Sequence, residues 1–164
     1  MFIDVCYPNN NEEEYIELAK KLSTDALFFI YEKNIKSISK PTFKIYSGLR
    51  GDFPYACFLY NKRTYFILDG DKRINHVLIK ELKPCWVGIS FNKLINKQMT
   101  KTIENISLAI RLCKKYKVNL FIASFAKTPH ELRSKKELLS LAECAGMDKN
   151  NIVKALELLD KSIN

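Results

Sequence analysis

Short apolar runs that alternate with helical segments are the feature that most limits how this chain can fold. Seven runs have the length and the branched or aromatic content of buried strands. They are Phe2–Cys6, Ala26–Tyr31, Phe43–Tyr46, Tyr55–Tyr60, Thr64–Leu68, Cys85–Phe91 and Leu120–Phe125. Helices are predicted over 11–22, 71–82, 99–116 and 134–146, with a fifth starting at Asp148. This alternation predicts an α/β fold.

The alternation fails between residues 42 and 69. The strand candidates there are separated by Gly48, Gly51, Pro54 and the turn at Asn61-Lys62. No helix of adequate length fits between them. We therefore expect reduced or missing helices in this region.

The segment from Ser124 to Met147 joins a strand end to a basic turn and a capped helix. Ser134 stands three residues before Glu137, which is the capping-box signature of a helix start, and Gly146 is placed for the left-handed position that ends many helices. Between strand and helix lie five basic or titratable side chains, opposed only by Glu131: Lys127, His130, Arg133, Lys135 and Lys136. This turn is expected to attract anions.

The same segment resembles the C-terminal signature of a known family. Leu132-Arg133 is followed by the acidic Glu137, an apolar helix and Gly146-Met147, and the upstream segments 74–80 and 86–94 keep the family's order and spacing. Over residues 65–158 the chain is similar to the archaeal protein component 3 of ribonuclease P, a family related to the thirty-kilodalton subunit of the eukaryotic enzyme. Phe125 departs from the pattern, because small residues usually stand together at this strand end.

The resemblance implies a TIM-barrel-like fold of the PHP type. Complete TIM barrels typically need about 200 residues or more, so 164 residues predict a shortened or incomplete barrel with about seven strands and reduced helices in the region 42–69. Whether such a barrel closes is left open by the sequence.

The resemblance also implies a function. The chain is expected to be a non-catalytic, RNA-binding subunit of ribonuclease P, an endoribonuclease whose RNA removes the 5′ leader from precursor tRNA. The implied partners are the ribonuclease P RNA, precursor tRNA within the holoenzyme and a second, small α/β protein subunit. Magnesium is expected on the RNA, and no cofactor on this chain.

Charge is unevenly distributed along the sequence. Residues 1–25, 26–136 and 137–164 carry net charges of −4, +15 and −2. A polyanion is the natural partner of the middle segment, although a lysine-rich surface can also serve solubility alone. The acidic segments would then face away from the nucleic acid or toward a partner protein.

Catalytic constellations are absent from the sequence. A metal-dependent phosphoesterase of the PHP type needs clustered histidines and carboxylates at strand ends, but the chain has two histidines, and the first strand ends in Asp4-Val5-Cys6. His76 is interpreted as a packed or surface residue. A phosphoesterase on the same barrel and a generic basic scaffold remain the alternative functions. The sequence predicts neither catalytic nor metal-binding residues.

Arg133, Lys135 and Lys136 are the first candidates for RNA contact, since they flank a helix start whose amides also favour phosphate. The further candidates are Lys127, His130, Lys93, Arg73 and Arg50. Tyr46, Tyr55, Tyr60 and Tyr65 are interleaved with basic residues and could stack on bases, but packing in the sheet is the stronger interpretation.

The chain is expected to form a single domain, residues 1–164, with a core adequate for its length. No apolar run approaches a membrane span and no signal peptide is visible, which predicts a cytoplasmic protein without membrane partners. Five widely spaced cysteines are interpreted as reduced core residues.

Overall fold

Seven strands and five α-helices are formed by the residues that the computed structural model describes, namely 1–36, 38, 40, 43–52, 56–70, 73–83, 85–92 and 99–163. The strands are β1 (Ile3–Cys6), β2 (Ala26–Tyr31), β3 (Lys44–Asp52), β4 (Ala56–Tyr60), β5 (Arg63–Leu68), β6 (Trp86–Ser90) and β7 (Asn119–Ala123). The helices are α1 (Glu12–Lys21), α2 (His76–Glu81), α3 (Met99–Tyr116), α4 (Lys135–Cys144) and α5 (Lys149–Ile163).

The strands form one sheet in sequence order from β1 to β7. All neighbours are parallel except β4, which is antiparallel to both β3 and β5. The two ends of the sheet meet just beyond β7, where Cys6 and Ala126 form a parallel bridge. Tyr7 donates its amide to the Ala126 carbonyl at 2.8 Å, and the Ala126 amide donates to Val5 at 3.1 Å. The sheet is thus a barrel that is nearly closed.

The region around residues 42–69 replaces helical crossovers with antiparallel hairpins. The β4–β5 turn places Asn61 and Lys62 at φ 47° and 61°, as a tight two-residue hairpin turn requires. The predicted shortened TIM-barrel-like fold with seven strands is therefore confirmed, and the described residues of this region form no helix. The interpretation of Gly48 and Gly51 as separators between strands is wrong, because both lie within β3. A Cβ on Gly48 would lie 2.7 Å from the Leu59 carbonyl oxygen and 2.9 Å from the Phe28 ring.

The hydrophobic core consists of three apolar clusters. The barrel interior is filled mainly by aromatic and branched side chains of the strands, among them Phe28, Phe58, Tyr65 and Phe121. Phe58 and Tyr65 stack with their ring centroids 4.7 Å apart. A second cluster packs α2 to α5 against the outside of β5 to β7, and a third packs α1 against β1 and β2.

Two predictions about local structure need correction. The helix expected from residue 71 begins at His76, because the Asn75 side chain accepts a hydrogen bond from the Leu78 amide at 2.9 Å and caps the helix there. The cysteines are all free, as predicted, but only Cys6, Cys57 and Cys113 are buried; Cys85 is half-buried, and Cys144 is exposed on α4. In the part of the chain that the structure describes, no helix is long and apolar enough to span a membrane.

Candidate nucleic-acid interface

The loop between β7 and α4 carries the basic turn that the sequence indicated. Lys127 and His130 are exposed on the loop, and Lys135 and Lys136 are exposed in the first turn of α4. Arg133 is half-buried, and its Nη1 donates to the carbonyls of His130 at 3.2 Å and Leu132 at 3.1 Å. The structure therefore brings these five side chains together on one short stretch of surface, which we call the β7–α4 loop.

The predicted capping box fixes the start of α4. The Ser134 hydroxyl accepts from the Glu137 amide at 3.3 Å, and the Glu137 carboxylate accepts from the Ser134 amide at 2.7 Å. That backbone hydrogen bond holds the pKa of Glu137 below its usual value. Gly146 has φ 87° and ends the helix as expected, and Asp148 accepts from the Asn151 amide at 3.0 Å at the start of α5.

Glu131 organises the loop and does more than offset its positive charge. Its carboxylate accepts from the amides of Lys127 at 2.7 Å and Thr128 at 3.3 Å, and from Nδ2 of Asn92 at 2.9 Å. A 3-10 turn, Pro129–Glu131, lies between these contacts. Thr128-x-x-Glu131 is a second capping-box sequence, so the signal for this arrangement was present in the sequence.

Asp4 connects the loop to the barrel. Its buried carboxylate accepts from the Ser124 amide and hydroxyl, both at 2.7 Å, and from the Val5 amide at 2.9 Å. The amide of Arg133 also hydrogen-bonds to it. Burial raises the pKa of Asp4 to about 6, against the opposing effect of these hydrogen bonds. Sequence reasoning missed this role, although a carboxylate inside a wholly apolar strand is itself a signal, because buried charges are rare unless partnered.

Phe125 turns the chain out of β7 in a conformation that is unusual for a bulky residue. Its φ is 52°, in the left-handed region. The ring is buried in the barrel interior, 6.0 Å from Phe121, and its carbonyl accepts from Asn92 Nδ2 at 3.0 Å. Gly88 leaves space for both rings, since a Cβ there would lie 2.6 Å from each Cζ. The backbone thus makes the turn without the small residue that the family pattern has at this position.

A cleft of about 980 Å³ opens at the carboxyl ends of the strands, beside the β7–α4 loop. It is lined by three acidic and three basic side chains, which are Glu32, Asp69, Glu131, Lys33, Arg50 and Lys127. Because these charges balance, the cleft suits neutral polar groups better than phosphates.

Two features of this cleft bear on the candidate residues and on metal chemistry. Arg50, a predicted RNA contact, forms an ion pair with Glu32 at 3.1 Å. Burial raises the pKa of Tyr7, which lies close to both Arg50 and Asp69. Among the described residues, no group of three or more His, Cys, Asp or Glu side chains is placed to hold a metal ion.

The other residues considered in the sequence analysis lie away from the β7–α4 loop or outside the described residues. Arg73 is exposed in the connection from β5 to α2, at the same end of the barrel as the β7–α4 loop, and His76 is exposed at the start of α2. Lys93 lies outside the described residues, as does Tyr55. Tyr65 is fully buried, so the packing interpretation is confirmed for it.

The acidic start of α1 does not face away from the basic loop. It follows the carboxyl end of β1, and the Tyr15 hydroxyl of α1 lies 3.3 Å from the Ala126 carbonyl. Its charge is partly neutralised locally, because Glu12 pairs with Lys36 at 3.3 Å and Glu13 with Lys40 at 2.7 Å. The carboxyl-end face of the barrel is therefore mixed in charge. That the acidic segments face away from the nucleic acid or toward a partner protein stays a prediction.

Comparisons with known proteins agree with the motifs. Ribonuclease P protein component 3 of Methanosarcina mazei is 30% identical to this chain over 100 residues. That alignment covers 58% of the chain but 42% of the relative, so the chain spans well under half of that protein. A solved chain from the cryo-EM structure of archaeal ribonuclease P with mature tRNA matches with a TM-score of 0.66 and 16% identity, covering 97% of this chain and 88% of that one. No protein-family model matches the chain. The similarity to component 3 that the motifs indicated is confirmed, and the fold is shared.

Proposed function

We propose that this chain is a protein subunit of ribonuclease P that binds and braces the catalytic RNA during removal of the 5′ leader from precursor tRNA. The observation that supports this best is the 30% identity to Ribonuclease P protein component 3 over 100 residues. The barrel shared with a chain of the archaeal holoenzyme supports the same role. Chemistry would reside in the RNA with its magnesium, and this chain would hold no cofactor.

The β7–α4 loop would act by neutralising phosphates. Lys127, His130, Lys135 and Lys136 are exposed on it, and each lysine that meets a phosphate releases condensed counterions. Arg133 is held against its own loop carbonyls and so presents its guanidinium in a restrained geometry. Contacts of this kind position the protein on an RNA shape without reading sequence.

The arrangement around Asp4 explains how the loop keeps its form. Asp4 and Glu131 together fix the backbone at residues 124, 127, 128 and 133. A loop that is ordered before binding loses less conformational entropy on contact with RNA. The partners of this proposal are ribonuclease P RNA, precursor tRNA through the holoenzyme and a second, small α/β subunit, in the cytoplasm.

Reconstitution tests this proposal directly. Cleavage of precursor tRNA would be measured with the RNA subunit and the other protein components of the same organism, with and without this chain, over a magnesium series. The chain is expected to lower the magnesium requirement or raise the rate. No effect from a chain shown to be folded by circular dichroism would reject the subunit role.

The generic basic scaffold is distinguished by competition. A subunit that recognises RNA shape should prefer the structured ribonuclease P RNA to heparin at equal charge, whereas a simple polyanion binder should not. The phosphoesterase alternative predicts bound transition metal in the purified chain, which metal analysis would detect.

A further inference from the structure

A second basic surface lies at the opposite end of the barrel from the β7–α4 loop. Because all strands except β4 run in the same direction, the amino-terminal ends of β3, β5, β6 and β7 share one end. Five exposed basic residues stand at those strand starts, and we call them the lower rim: Lys44, Lys62, Arg63, Lys83 and Lys117. None of them was a candidate from the sequence.

The lower rim differs from the carboxyl-end face in its ion pairs. At the carboxyl-end face, Lys36, Lys40 and Arg50 are paired with glutamates. Among the ion pairs of the described residues, none involves Lys44, Lys62, Lys83 or Lys117. These four lysines are therefore available for contact with phosphates, although the exposed Asp25 and Glu81 lie at the same end of the barrel.

Two more lysines converge at the same end. Lys80 near the end of α2 and Lys115 near the end of α3 lie 5.5 Å and 5.7 Å from the ring centroid of Tyr116. Both are exposed. The tyrosine ring holds two like charges near each other through cation–π contacts, which raises the local density of positive charge.

Aromatic side chains inside the lower rim remain partly accessible. Trp86 is the first residue of β6, Tyr60 is the last of β4 before the hairpin turn, and Tyr46 is the third of β3. All three are half-buried, whereas Phe28 and Phe58 deeper in the barrel are fully buried. Tyr46 and Tyr60 meet edge to face at 6.5 Å, and Trp86 lies 6.3 Å from the Tyr65 ring.

Helix α5 covers one side of this end of the barrel. α5 packs against β7 and β1, and its Leu159 is buried among the interior residues. The covered part is thus the β1 and β7 side, and the aromatic residues belong to β3, β4 and β6.

We propose that this end of the barrel is a second RNA-binding surface, which takes unpaired nucleotides. Their bases would stack on Tyr46, Tyr60 and Trp86 while the lower rim contacts the flanking phosphates, the combination of stacking and cations that single-stranded nucleic acids require. This inference rests on the proposed function and extends it: the chain would hold RNA at both ends of its barrel, with backbone contacts at the β7–α4 loop and stacked bases at the lower rim.

The single tryptophan of the chain provides a direct test. Trp86 fluorescence would be followed while the full chain is titrated with a single-stranded uridine oligonucleotide, and in parallel with heparin. Stacking is expected to quench the fluorescence with the oligonucleotide only. Equal responses to both polyanions, or no response to the oligonucleotide at saturation, would overturn the proposal.

A charge variant completes the test. Lys62→Ala, Lys83→Ala and Lys117→Ala together should make the slope of log K against log salt shallower by about 2 for single-stranded RNA. The matched control removes three exposed lysines that lie on the carboxyl-end side of the barrel, outside the β7–α4 loop: Lys33→Ala, Lys36→Ala and Lys101→Ala. An equal change in the control and the rim variant would overturn the proposal.

The two RNA surfaces are separated by a third variant, Arg133→Ala with Lys136→Ala. If it weakens RNA binding while the rim variant matches the control, the second surface is refuted and the proposed function stands. If none of the variants alters binding to ribonuclease P RNA, both fail together. Circular dichroism of each variant verifies the fold.

Discussion

Replacement of Asp4 by asparagine should change how the stability of the chain depends on pH. Asp4 is fully buried, and its pKa is raised from 3.8 to about 6, first by burial. A carboxyl whose pKa is higher in the folded state binds its proton more tightly when folded. Its contribution to stability is therefore fully present below pH 3.8 and is lost as the pH rises through 6.

The size of the effect follows from the difference in pKa. A rise of the pKa from 3.8 to about 6 corresponds to about 3 kcal/mol in total. Roughly half of this should develop between pH 7 and pH 5, because the folded carboxyl takes up its proton there while the unfolded one remains ionised. The wild type should gain this stability relative to Asp4→Asn on acidification, since asparagine does not titrate.

Urea unfolding followed by circular dichroism at pH 7, 6, 5 and 4.5 would measure the difference between the two proteins. Other titrating groups cancel in that difference. Asp148→Asn is the control: hydrogen bonds from Asn151 and Lys114 lower the pKa of exposed Asp148, so its contribution is lost only below pH 3.8 and its difference from wild type should be flat over this range. A difference for Asp4→Asn that is constant, or that shrinks on acidification, would refute the reasoning.

Three further predictions concern the loop and its support. Arg133→Ala with Lys136→Ala should weaken RNA binding and make its salt dependence shallower by roughly 1 to 2 in slope without unfolding the protein; unchanged affinity at both low and high salt would contradict this. Gly88→Ala should lower the free energy of unfolding in urea by about 1–3 kcal/mol, because the new Cβ would lie 2.6 Å from two buried aromatic rings. A decrease below a few tenths of a kcal/mol would show that the two rings move aside at little cost. Ser134→Ala should cost about 1 kcal/mol through loss of the α4 cap, whereas Ser140→Ala on the exposed face of the same helix should stay within about 0.5 kcal/mol; equal effects would disprove the capping role.

Local patterns were sufficient to predict the strands and most helix limits. The capping box at Ser134 and the left-handed glycine at Gly146 depend only on neighbouring residues, and both are formed as expected. Gly48 shows where such reasoning fails. Its structural role depends on Leu59 and Phe28, which approach from other strands. The sequence pattern predicts a strand break at this glycine, but it lies where neighbouring strands pack closely.

The candidate site was predictable to the extent that its residues are contiguous. The basic side chains between Lys127 and Lys136 lie on one loop because they are close in sequence. Asp4 was missed because its partners, Ser124 and Arg133, lie more than a hundred residues away along the chain. No local pattern reveals such a contact, and only the meeting of β1 with the end of β7 creates it.

The distribution of charge required the three-dimensional fold for the same reason. Net charge by segment suggested a basic middle and acidic ends, yet α1 brings its glutamates to the face that carries the β7–α4 loop. Lysines that are scattered through the sequence meet at the other end, because strand starts separated by helices or hairpins converge in a parallel barrel. Two basic surfaces at opposite ends of one small barrel would suit a protein that bridges RNA segments, since each surface can neutralise phosphates of a different segment without competing for the same one.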